Sequence, residues 1–192
     1  AIVFSEKEAA LRAIDTITAI HSAVEEKRNA KIPDWAYRDV LFMLIDYSIR
    51  SYELLERKLS AAEKQEVFDV FYRVGKRMDL NGLPKNFESW EIMRQEHLHQ
   101  NLQNSHYTKD LFRQYRKHLG LLRYSLLLEA QILAVPKKVR ELLGYRKVSL
   151  LKPVLGFYKV SRSIKIDWLL KAAILPPKYK KEIKELDHLP TK

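Results

Sequence analysis

The sequence contains no cysteine. That absence removes disulfides, thiolate-held zinc, iron–sulfur clusters and cysteine nucleophiles from consideration. It leaves the compartment open, because a chain without thiols suits reducing and oxidising surroundings alike. Glycine is scarce, five in 192 residues, and alternating Val/Thr/Ile runs closed by Asn-Gly or Gly-Gly turns are missing. Both facts argue against a β-rich fold. Long apolar runs are missing too. The most apolar stretch, HLGLLRYSLLLEAQILAV, carries Arg123 and Glu129 well inside it. It reads as a buried helix rather than a membrane span, and no secretory signal is visible. A cytoplasmic or peripheral-membrane setting is therefore expected. Ser-His-Asp order, P-loop and GxGxxG patterns do not occur.

What is present suits a globular helical chain. Hydrophobic residues make up 46% and charged residues 31%, enough for a sizeable core with a solvated surface. The net charge is +11, and residues 137–192 hold 15 Lys/Arg against 5 Asp/Glu. That asymmetry suits a surface that meets lipid headgroups or another anionic partner. Nucleic acid is disfavoured, since no recognised DNA or RNA motif accompanies the charge.

Ser5 and Glu8 have capping-box spacing and predict a helix over about 6–27, with Leu11, Ile14, Ile17, Ile20/His21 and Val24 stepping by three and four. Pro33-Asp34 predicts a second helix over about 35–58, apolar around much of its circumference and therefore central. Ser60 and Glu63 form a second capping box, opening a helix to about Met78. Asn86 can cap a helix over about 87–103, and Thr108 one over about 109–134, the longest. Pro136 and Gly144 bracket a short helix. Further helix is expected over about 149–174, broken near Pro153 and Gly156. A last one follows Pro176-Pro177 to about Leu186. The expected fold is an all-α, single-domain bundle of seven or eight helices over 1–192, with 137–192 its basic C-terminal part.

Six histidines carry most of the chemical interest. His21 lies on the apolar stripe of the first helix. It is either a core histidine whose nitrogens find a carbonyl and a water, or an axial ligand presented to the iron of a planar cofactor. Glu96-x-x-His99, with a second copy at Glu185-x-x-His188, has the spacing used in di-iron bundles, and Glu53, Glu56 or Glu129 would supply the extra carboxylates. The other reading of Glu96 and His99 is an exposed polar face. His97 and His99 point to different faces. Arg94 and His97 share a face and could hold an anion such as a haem propionate, or form surface pairs with Glu88 or Glu91. His106 and His118 have no partner at ligand spacing. Phe42, Met43, Ile45 and Tyr47 suit either a pocket wall or plain core. The mixed basic and aromatic segment after Lys147 suits a membrane surface or an ordinary amphipathic helix pair.

Several stretches also carry a resemblance. AIVFSEKEAALRAIDTITAIHSAV resembles the Val-Phe-Gly…His-x-x-Val run of the latex-clearing-protein (rubber oxygenase) and MpaB-type oxygenase family. LIDYSIRSYELLERKLSAAEKQEVFDVFYRVGKRM is similar to that family's next segment, and AILPPKYKK to its C-terminal Leu-Pro-Pro element. The resemblance implies an all-helical catalytic domain with a globin-like core around haem b. It also implies oxidoreductase chemistry with dioxygen on an apolar, isoprenoid or alkene substrate, and an axial ligand at His21. The family's Arg-x-x-x-Thr signature lies upstream of the Val-Phe stretch, so an upstream segment is expected and no catalytic residue is carried over. The family's frequent Trp-x-His is absent, with Asp39 and Leu41 standing there before Asp46.

Overall fold

The computed structural model describes residues 6–163, which form seven helices joined by turns and loops, with no strand among them. The helices are α1 (Lys7–Arg28), α2 (Asp34–Leu55), α3 (Ala61–Arg77), α4 (Phe87–Gln100), α5 (His106–Ala134), α6 (Lys137–Leu142) and α7 (Lys152–Ser163). The chain divides into two compact units, Ala1–Lys147 and Val148–Lys192. The expected helix after Pro176-Pro177 and the Glu185/His188 pair lie outside the described residues.

Local chemistry sets most helix ends. At α3, Ser60 accepts from the Glu63 amide and Glu63 accepts from the Ser60 amide, the expected reciprocal box. Asn86 caps α4 by accepting from the Ser89 amide at 2.9 Å. At α1, Glu6 occupies the cap position without a side-chain bond, and Ser5 lies outside the described residues. Thr108 is not the cap of α5. Ser105 takes that place, so Thr108 falls in the first turn. Gly144, at φ 65°, ends α6 with paired amide bonds from Gly144 to Glu141 and from Tyr145 to Arg140.

Two expectations about continuity are corrected. α5 is bent, because Gly120 adopts φ 72° and ψ 172° inside it. α7 runs unbroken through Pro153 and Gly156. It begins only at Lys152, so Pro153 sits in the first turn, where no intrahelical donor is lost.

α2 is central to the first unit and packs against α3, α4 and α5, while α1 lies on α3 and α6 on α4. Phe42, Ile45 and Ile49 of α2 meet Phe68 of α3 and Trp90 of α4 in the buried core. Gly75 lets α3 approach α2 closely, since a Cβ there would stand 2.7 Å from a Leu41 methyl. α1 departs from expectation. It buries Ile14 but leaves Ile17, Ile20 and Val24 exposed at 36%, 57% and 38%.

Candidate functional site

His21 stands at the border of two faces of α1. On one side runs the exposed Ile17/Ile20/Val24 strip. On the other is a hollow of about 230 Å³ walled by Thr18, Glu25, Asp34, Tyr37 and Asp79 among others. The imidazole packs on Tyr37, ring centres 5.2 Å apart and tilted by 59°. Its Nδ1 is buried with no hydrogen-bond partner. Buried polar atoms are nearly always paired, so this nitrogen stands out. Glu25 fixes the surroundings by accepting from the Tyr37 hydroxyl and from the Ile32 amide, both at 2.9 Å. Desolvation and that bond to Glu25 push the Tyr37 hydroxyl above its ordinary pKa.

A haem needs a nitrogen ligand and an apolar slot of cofactor size. At His21 the described residues supply one imidazole and one apolar wall. The hollow itself is polar and smaller than the usual range for a ligand cavity.

Arg94 and His97 both lie inside the protein rather than on its surface. Arg94 is 3% exposed and His97 8%. Arg94 Nε donates to Asp46 at 3.1 Å and Nη1 to Asp39 at 3.3 Å. Asp46 also accepts from Arg50 Nε at 2.5 Å. His97 Nδ1 lies 3.1 Å from the side-chain Nδ2 of Asn101 and 3.4 Å from Asp39, and its ring packs on Phe42. Burial pushes the His97 imidazole below its ordinary pKa, and Asp39 opposes the shift. The Arg94 guanidinium therefore already faces two carboxylates, and Glu88 and Glu91 take no part. In the sequence Asp39 stands out only as a departure from a family pattern, and Asp46 only as the aspartate that follows it. Their role depends on a partner helix more than forty positions away, which no local spacing reveals.

Asp39, Met43, Tyr47 and Arg94 line a second hollow, of about 200 Å³, with no wall in common with that of His21. The four α2 pocket candidates thus divide. Met43 and Tyr47 face the hollow, and Phe42 and Ile45 are core. A third hollow, of about 400 Å³, lies along α5 and shares Asn104, Thr108 and Leu143 with the second. Nothing in the sequence marks it beyond the lone Gly120 within a helical pattern.

Glu96 and His99 are exposed on α4, with His99 Nδ1 on the Gln95 carbonyl. Glu53 pairs with Lys58 and Lys64, and Glu129 with Arg146. A di-iron site needs inward-facing carboxylates, and no group of three potential metal ligands occurs among the described residues. His106 and His118 are exposed. No described helix is long and apolar enough to cross a membrane.

The family model described as "ER-bound oxygenase mpaB/B'/Rubber oxygenase, catalytic domain" matches residues 1–162. No curated protein and no solved structure matches the chain.

Proposed function

We propose, for a chain that belongs to the mpaB and rubber oxygenase catalytic-domain family, that it acts with dioxygen on an apolar alkene-bearing substrate of isoprenoid type and holds haem b through His21. The supporting observation is the buried, unpartnered Nδ1 of His21, beside an apolar strip left uncovered on the same helix. When bound, haem would supply the activation of dioxygen. The chain's own residues do the rest. Tyr37 packs against the imidazole and limits its rotation, and Glu25 holds Tyr37 in place. Ile17, Ile20 and Val24 offer an apolar face that excludes water wherever the cofactor or substrate covers it.

The experiment is a visible spectrum of the purified protein after haem supplementation. A Soret band that shifts or disappears in His21→Ala supports the reading. A protein without the band, or one whose band ignores that substitution, overturns it.

A second, non-enzymatic reading is favoured by the second unit, where Leu150, Val154 and Phe157 are exposed around Lys152. A basic segment with outward apolar side chains suits an anionic membrane surface.

A further inference from the structure

The bend at Gly120 brings two stretches of one helix to the same cavity. Gly120 at φ 72° and ψ 172° holds a conformation open in practice only to glycine. Phe112 and Arg116 precede it, Tyr124 and Leu128 follow it, and all four line the hollow of about 400 Å³. A straight helix would carry residues twelve positions apart about 18 Å from each other, so the bend makes this cavity.

Its lining is divided by exposure. Phe112, Tyr124, Leu128 and Leu143 are half-buried, whereas Lys109, Arg113 and Arg116 are exposed. The three cations step by four and three, which sets them along one edge of the helix. The hollow has three cations in its lining and no carboxylate. Asp110 answers Arg113 only through a solvent-exposed contact of 3.4 Å, which is worth little. Tyr145 forms part of the wall. Its hydroxyl donates to Gln131, and its ring stands edge-on to Phe112, centres 6.4 Å apart.

We propose that the α5 hollow binds an anionic amphiphile. Its single apolar chain would lie against Phe112, Tyr124 and Leu128, and its carboxylate or phosphate head would be held by Lys109, Arg113 and Arg116. Charge complementarity selects this occupant. A neutral chain leaves a cationic rim unanswered, and a bare anion leaves the aromatic and leucine walls wet. The site rests on the bent α5 and the Leu143 and Tyr145 wall beside it, and stands whether or not His21 holds iron.

A dansyl-labelled fatty acid, titrated into the full chain and followed by dansyl fluorescence, tests it. Saturable binding is expected, displaced by dodecanoate or dodecyl phosphate and much less by dodecanol. The more effective of the two anions identifies the head group. Arg113→Glu with Arg116→Glu, both exposed and so compatible with folding, should weaken probe binding at least about tenfold, and added salt should weaken the wild type. The proposal is overturned if dodecanol competes as well as dodecanoate, if the double variant binds like the wild type, or if the probe does not bind.

Discussion

Asp46 accepts from Arg94 in the interior and from Arg50 at its edge. Removing it leaves a buried guanidinium with Asp39 as its remaining carboxylate. Asp46→Ala should therefore cost about 3 kcal/mol, the low end for a broken buried pair, read as a lowered urea midpoint. Asp15→Asn removes a two-bond pair with Arg77, but that pair stands in solvent, and the midpoint should hardly move. His97 adds a pH dependence. Burial lowers its pKa in the native state, so as pH falls the unfolded chain takes up this proton first. The contribution is complete above the unfolded value near 6.5 and is lost as pH drops from there toward the lower native value. Urea midpoints at about pH 7.5 and about pH 5 should differ less in His97→Gln than in the wild type. Sequence reading joins Arg94 and His97 through their shared helix face. It misses that they are buried, because the carboxylates that make burial tolerable stand on another helix.

At the scale of the element, the sequence is most legible where one residue suffices. Ser60/Glu63, Asn86 and Gly144 act within a single turn, and each sits where spacing placed it. Ser60→Ala should cost about 1 kcal/mol in stability. Legibility fails where a residue can play two parts. Pro153 and Gly156 suggest a break, yet one begins a helix and the other passes within it. The helix expected over about 109–134 spans Gly120, where the structure has a bend. A Cβ at Gly120 would meet nothing within 4 Å, so any cost of Gly120→Ala comes from the backbone. About 1–3 kcal/mol is expected, together with weaker binding of the dansyl probe in the α5 hollow.

For the whole molecule, helices throughout the described residues, with α2 at the centre of the first unit, are what the scarce glycine and the broadly apolar 35–58 segment suggest. The first helix is the exception. Its three-and-four stepping predicts a buried stripe, but periodicity shows only that a helix has an apolar side and not what covers it. The charge pattern carries a prediction of its own. Co-sedimentation with anionic vesicles should fall when residues 148–192 are deleted and should weaken with salt. Salt-insensitive binding that survives the deletion would dismiss the membrane reading.

The sparse burial of α1 has a kinetic consequence. Phe42, Ile45 and Ile49 lock α2 into the core, whereas Ile14 is the side chain α1 buries among the described residues, and its pair to α3, Asp15–Arg77, is exposed. Amide protons of α1 should thus swap with deuterium well before those of α2. A molecule settling over Ile17, Ile20 and Val24 would announce itself as slower deuteration of that one helix, with the α2–α4 amides unchanged.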